Sequence, residues 1–292
     1  MHLILATRRS PLALAQTELV AAALRAAGHE IELLPLTTTG DRWSAGTGSP
    51  PDKGLFVKEL EEALMAGRAD LAVHSAKDLP AELPSRLAVL AVPAREDPRD
   101  VLVGPSGGLA ALPEGARVAT GSPRRAAQIL AARPDLVIVP IRGNVGTRLD
   151  KLARGDAEAL VLAAAGLRRL GLWPEGAEPL SIDLSTPAPG QGLLAVEGRT
   201  GDHALAHAVS VLDHAEAHAC LRAERAFLSA VGGGCLAPVG ALCEAMEGRL
   251  RMTAFVGSAD GTRGERAVRS GPADDPDGLA REVAGALSAV RR

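Results

Sequence analysis

Cys235 stands in the run VGGGCLAP, and that setting decides what a thiol there can do. Gly232, Gly233 and Gly234 leave the backbone free to take positive φ, where a β-carbon would clash. Pro238 then ends any regular hydrogen-bonded continuation. A thiol on such a turn is presented with little around it, and a thiolate can be acylated, alkylated or used to anchor a group covalently. Taken alone the residue has a plainer role, because free cysteine is among the most buried residue types. The run HSAKDLP offers different chemistry. It follows the apolar stretch ADLAV, so Lys77 and Asp78 fall at the C-terminal end of a strand. A carboxylate there, beside cationic groups, stays ionised, stabilises a developing cation or moves a proton. Its alternative is a lysine–aspartate pair in a turn.

A third group is cationic. In IRGNVGTRLDKL, Arg142 leaves a strand, Gly143 permits a tight turn, Asn144 caps a helix and Arg148 lies one helical turn further on. With Arg8, Arg9, Arg124, Arg125, Arg168 and Arg169, these arginines gather at strand-to-helix junctions. Arginine binds carboxylates bidentately, and each desolvated charge-assisted contact contributes about 1.5–3 kcal/mol. A solvated surface accounts for most arginines but less well for such clustering. The segments ATRRSPL (6–12) and ATGSPRR (119–125) echo one another. Each sets a strand end against a Ser-Pro helix start, at Ser10 and Ser122, where free N–H groups and the positive end of a helix meet an anion. Two such sites in two similar domains suit one polyanionic ligand in the cleft between them; the alternative is a pair of well-capped helices. KGLFVKEL adds Lys53 and Phe56 near a further helix start, after the surface loop SPPDKG.

Other chemistries are weaker. His203 and His207, and His214 and His218, are spaced for zinc on helices, yet neither pair is HExxH and no third ligand stands out, so no metal is expected. GNVG and GGGC complete neither a Walker nor a Rossmann pattern. The chain has 292 residues, which suggests two or three domains. A net charge of −3, two Trp, three Phe and no Tyr argue against a nucleic-acid partner. Three irregularly spaced cysteines form neither a disulfide framework nor a zinc ribbon. No secretory signal and no membrane-length apolar run is read, so a cytoplasmic protein is expected.

The elements that must position these residues alternate. Strands are expected at 3–7, 31–36, 69–75, 101–104 (VLVG), 117–120, 136–141, 159–163 and 192–197. Helices follow from Ser10 to Gly28, over 55–67, from Ser122 and from Asn144. This order argues for α/β architecture with mainly parallel sheets. The last third reads as two helices over 202–230, strands near 237–244, 249–257 and 262–269, and a helix near 277–290, an α+β pattern.

Together the runs ATRRSPLALAQ, KGLFVKELE, ADLAVHSAKDLP, REDPRDVLV, IRGNVGTRLDKL, AAAGLRRLGL, GQGLLAVE and GGGCLAP resemble the porphobilinogen deaminase family, in family order over residues 3–240. The chain departs from that pattern at Thr39, at Pro51-Asp52 and at Leu236-Ala237. The resemblance implies two periplasmic-binding-protein-like α/β domains with mixed, mainly parallel sheets, over 1–95 plus 193–211 and over 98–188. It adds a small C-terminal α+β domain, 215–292, with a three-stranded antiparallel sheet. It implies a monomer that joins four porphobilinogen molecules onto one covalent dipyrromethane cofactor, held as a thioether by Cys235, and releases hydroxymethylbilane. Asp78 would be catalytic, stabilising positive charge on the ring nitrogen and handling the pyrrole proton. Lys77, Ser122, Arg124, Arg125, Arg142 and Gly143 would bind the cofactor. Arg8, Ser10, Arg148, Arg169, Gln191, Phe56 and Lys53 would bind substrate. Cys220 and Cys243 match no functional position. Competing readings are a non-catalytic anion-binding protein, which needs neither Asp78 nor Cys235, and a thiol enzyme, which needs an activating base near Cys235.

Overall fold

The computed structural model describes residues 1–44, 55–232, 238–258 and 263–287. The chain starts with β1 (His2–Arg8), α1 (Pro11–Ala26) and β2 (Glu30–Leu36). Ser10 ends the strand and caps the helix: its hydroxyl accepts from the Ala13 N–H at 3.3 Å, and Pro11 occupies the first helical position. Gly28, at φ 88°, turns the chain back into β2. Then come α2 (Thr39–Ser44), α3 (Lys58–Met65), β3 (Leu71–Ser75), a short 3-10 turn Ala76–Asp78 and β4 (Leu87–Ala91).

The second series repeats the plan. It contains β5 (Asp100–Val103), β6 (Arg117–Ala119), α4 (Pro123–Ala132), β7 (Val137–Val139), α5 (Val145–Ala153), β8 (Ala159–Ala163), α6 (Ala164–Arg169) and β9 (Ala177–Pro179). The chain then returns to the first sheet as β10 (Leu194–Arg199). The two five-stranded sheets run β2-β1-β3-β10-β4 and β7-β6-β8-β5-β9. In each, the strand beside the end (β10 or β5) is antiparallel to both neighbours, while β1 or β6 pairs in parallel on both sides. The Ser-Pro echo read in the sequence thus sits at matching places, after β1 and after β6.

Both sheets are covered on both faces, which is why their strands are apolar on both sides. Leu3 and Leu5 of β1 face Val20 and Leu24 of α1; Ala6, one pleat over, faces Leu60 and Leu64 of α3. In the second sheet Val118 packs with Ile129 of α4, while Ala119 and Leu160 pack with α5. Each fully buried leucine of this kind contributes about 1.5–3 kcal/mol. The mixed, mainly parallel α/β lobes and the separate antiparallel sheet agree with the expected fold class. The strands β4 and β9 and the helix α2 were not foreseen: β9 is three residues ending in Pro179, too short to show a period.

After α7 (His203–Val209) and α8 (Ala215–Ala230) comes an antiparallel sheet, β11 (Val239–Met246), β12 (Arg249–Gly257) and β13 (Gly264–Pro272), closed by α9 (Pro276–Ala286). Phe227 of α8 and Leu279 and Val283 of α9 fill its core. Glu247 and Gly248 turn β11 into β12 with φ of 41° and 78°, the positive pair of a tight hairpin.

Candidate active site

The two lobes are joined by two crossovers, 92–99 and 180–193, and the candidate residues collect around them. At the end of β1, Arg8 donates Nε and Nη2 to Asp41 Oδ1 at 3.1 and 2.6 Å. Its Nη1 lies 3.5 Å from Asp78 Oδ2. The guanidinium also covers the Phe56 ring, 4.2 Å from its centroid. Burial alone would raise the Asp41 carboxyl, but the bonds from Arg8 and Thr38 hold it below the usual range. Arg8, Phe56 and Asp78 line one cavity with Gln16, His74 and Ser75. Gln16 and Ser75 exchange hydrogen bonds at 2.9 and 3.0 Å, tying α1 to the end of β3.

Lys77 follows β3 on the 3-10 turn and lies at the join. Its Nζ donates to Gln191 Oε1 at 3.4 Å, and no carboxylate contacts it among the described residues. Burial, with the Arg125 charge nearby, pushes its pKa down to about 8. Gln191 stitches the crossovers together by donating Nε2 to Pro98 O at 2.7 Å and Asp100 Oδ1 at 2.9 Å. Gly192 must be glycine: at φ 86° a β-carbon would meet Glu96 O at 2.3 Å.

Arg124 and Arg125 are placed differently from the expectation of free ligand donors. Both are buried on α4 and grip Asp100, at 2.7 Å from Arg124 Nη1 and 2.8 Å from Arg125 Nη2. Arg124 also donates to Thr186 O and Arg125 to Val161 O. Two guanidiniums outweigh the burial cost and hold Asp100 far below the ordinary carboxylate range. The cluster leaves one excess positive charge facing Lys77.

In the second lobe Ser122 caps α4 and accepts from Arg125 N–H at 3.5 Å. Gly143, at φ 113°, makes the turn into α5, and its carbonyl accepts Arg148 Nε at 2.8 Å. Arg148 makes no ion pair among the described residues, and burial followed by the Arg125 charge lowers its pKa. Arg142 is exposed and stacks over Trp43 of the other lobe, 4.3 Å from the ring centroid. Arg169 is not brought to the Arg8–Asp78 cavity. Its Nη2 donates to Gly192 O at 2.7 Å, and it borders a second hollow with Leu19, Val20, Arg95 and Glu96. Burial lowers its pKa to about 10. Cys235 and Lys53 lie outside the described residues.

Sequence reasoning passed over Asp41, Gln16, His74, Trp43 and Asp100. Asp41 and Asp100 carry a signal, a lone acid among basic motifs, but the arginines they pair with are more than twenty residues away in each case. Cys220 and Cys243 are buried in the third core, as packing residues would be. No cluster of three or more His, Cys, Asp or Glu suited to a metal occurs among the described residues. No helix among them is long and apolar enough to cross a membrane.

The donor set is suited to a ligand with several carboxylates: Arg8, Lys77, Ser122, Arg142 and Arg148 present N–H or O–H groups, and Lys77 and Arg148 are desolvated cations with no carboxylate in contact. Fold and site together define a two-lobed α/β protein that gathers cationic side chains where its lobes meet, with an appended antiparallel domain. The chain belongs to the porphobilinogen deaminase family. Residues 3–207 match its model described as the dipyromethane cofactor binding domain, and residues 218–289 match the C-terminal domain. Porphobilinogen deaminase of Roseiflexus castenholzii is 49% identical over 286 residues, covering 97% of this chain and 94% of that protein. That of Sorangium cellulosum is 50% identical over 272 residues, covering 92% and 91%. Among solved structures, the methionine binding protein MetQ aligns at a TM-score of 0.46 and 13% identity, over 77% of this chain and 90% of that one.

Proposed function

We propose that this chain is a transferase of tetrapyrrole and heme biosynthesis. It deaminates four porphobilinogen molecules, joins them head-to-tail on a covalent dipyrromethane primer and releases linear hydroxymethylbilane by hydrolysis. Family membership across nearly the whole chain carries this reading. The desolvated, unpaired cations of the cleft support it, because both primer and substrate carry acetate and propionate groups.

The donor chemistry fits the primer. Cys235 is the residue assigned to hold it, and Lys77, Ser122, Arg142 and Gly143 line its carboxylates. Arg124 and Arg125 act through the net positive charge of their cluster with Asp100. When bound, the primer supplies the nucleophilic ring carbon on which the chain grows. Arg8, Ser10, Arg148 and Lys53 bind substrate carboxylates, and Phe56 packs on a pyrrole ring; Gln191, expected to bind substrate, is buried with both amide hydrogens given to Pro98 and Asp100, and acts by holding the crossovers and Lys77 in place. Arg169 is assigned to the crossover, through its bond to Gly192, rather than to direct substrate contact.

Asp78 is the catalytic carboxylate. As ammonia leaves, positive charge builds on the substrate ring, and a fixed carboxylate stabilises it without solvent reorganisation. Arg8, bonded to Asp41 and within 3.5 Å of Asp78, sets the orientation of that carboxylate. The residue ranges 1–95 with 193–211, 98–188 and 215–292 are proposed as the three domains of a cytoplasmic monomer. Incubation with porphobilinogen tests the activity: one ammonia per substrate and one tetrapyrrole per four are expected. Unconsumed porphobilinogen, with the primer in place, would overturn it.

A further inference from the structure

Beneath the Arg8–Asp78 cavity lies a buried acid–base group that none of the roles above uses. His74 of β3 lines the cavity, and its Nε2 lies 3.0 Å from Glu197 Oε2 of β10. Their side chains are 2% and 0% exposed. Strand pleating places both on the face that α3 covers, and Glu61 of α3 comes down on them. The outer oxygens Glu197 Oε1 and Glu61 Oε1 are buried without a hydrogen-bond partner among the described residues, as is Arg225 Nη1 of α8. Burial and then repulsion from Glu197 push the Glu61 carboxyl up, against the pull of His74. Burial lowers Arg225, and Glu197 opposes that shift. The groups facing His74 are therefore Glu197 of β10, Glu61 of α3, Arg225 of α8, and Arg8 and Asp78 around the cavity.

Interior carboxylates are costly unless paired, and two of them sharing one histidine are costlier still. Paired on one side and bordering a cavity, an imidazole is set up to take and return a proton. We propose that His74 accepts the ring proton given up at each addition, with Glu197 as its positioning residue and Glu61 as the acid that answers the change of charge. The proposal rests on the porphobilinogen reading. At each addition the carbon–nitrogen bond of the substrate breaks, and ammonia leaves with its electron pair. A carbon–carbon bond forms at the α-carbon of the receiving ring. The electron pair of that carbon's C–H bond returns to the ring, and the proton remains in the cavity. His74 takes it and hands it on, so that ammonia and proton depart together as ammonium. Asp78 keeps its separate task of stabilising the positive ring.

Glu197→Gln in the primer-loaded protein tests this. The substitution keeps the hydrogen bond to His74 Nε2 but removes the buried counter-charge that an imidazolium formed there would face. We expect kcat to fall tenfold or more with KM within twofold of wild type. The acid limb of the kcat–pH profile should move to lower pH. The His74 ring-nitrogen NMR shifts, followed against pH without substrate, should move with it. Glu61→Gln is the second variant should Glu197→Gln not fold, and its limb should move in the same direction by less. A limb that stays put while the His74 NMR midpoint moves, or that stays put in both variants, overturns the proposal. Failure of the underlying reading is distinct, because the wild-type protein would then release no ammonia from porphobilinogen.

Discussion

Asp78 lies 3.5 Å from Arg8, whose guanidinium covers the Phe56 ring, and among the described residues it is the carboxylate that lines this cavity. Asp78→Asn keeps shape and hydrogen bonding but loses that charge. Turnover should fall by about 10²–10³ with the melting temperature little changed; activity near wild type would remove Asp78 from the chemistry. Lys77 makes a pH prediction. With a pKa of about 8, it is cationic below that pH and neutral above it. Loading of the primer onto the bare chain should therefore weaken as pH rises through about 8, where an exposed lysine would support it to about 10. Lys77→Met should flatten that pH dependence. The stability sign is opposite. Between about 8 and the ordinary 10.5 the unfolded chain binds a proton that the folded one does not, so Lys77 adds stability with rising pH across that window.

At the scale of elements, the Asp100 side chain ties the start of β5 to α4 and to the 180–193 crossover, and Gln191 carries the tie on to Pro98 of the other. Asp100→Asn would leave two buried guanidiniums facing each other. A loss of about 3–5 kcal/mol is expected in denaturant unfolding, and a loss under 1 kcal/mol would mean that water or rearrangement relieves the arginines. The Asp100 contribution is in full above the usual 3.8 and is lost as pH falls below it, because its folded pKa is depressed. Gly192→Ala should also destabilise, since the new methyl would press on Glu96 O where the two crossovers touch. What was legible in the sequence follows from range. The Ser10 and Ser122 caps depend on residues three apart, and the apolar runs of β1, β3 and β8 on a few neighbours; both could be read. Arg124 and Arg125 announce their charge but not that Asp100, 24 and 25 residues earlier, absorbs it. The stacking of Arg142 on Trp43 and the placing of Arg169 on Gly192 depend on how the lobes meet, which no local period encodes.

Over the whole molecule, the three sheets meet at Glu224. This α8 carboxylate is fully buried and accepts Arg95 Nη2 from one crossover at 2.6 Å, Gly190 N–H from the other at 2.6 Å and Cys243 N–H of the third sheet at 2.7 Å. Burial raises its pKa against these partners. Arg266 of β13 adds a second tie, to Gln128 of α4 at 2.7 Å. The antiparallel domain is thus fastened to the junction of the lobes, and the chain that enters β11 carries Cys235. Under the proposed function, one covalent anchor at Cys235 serves a cleft built by two other units. The account therefore stands on the anchor. Intact mass spectrometry under denaturing conditions, on wild type and Cys235→Ser, tests it most directly. Wild type should carry the added mass of two linked pyrroles, and the variant none. A wild-type chain still bare after incubation with porphobilinogen, or an adduct that survives in Cys235→Ser, would contradict it.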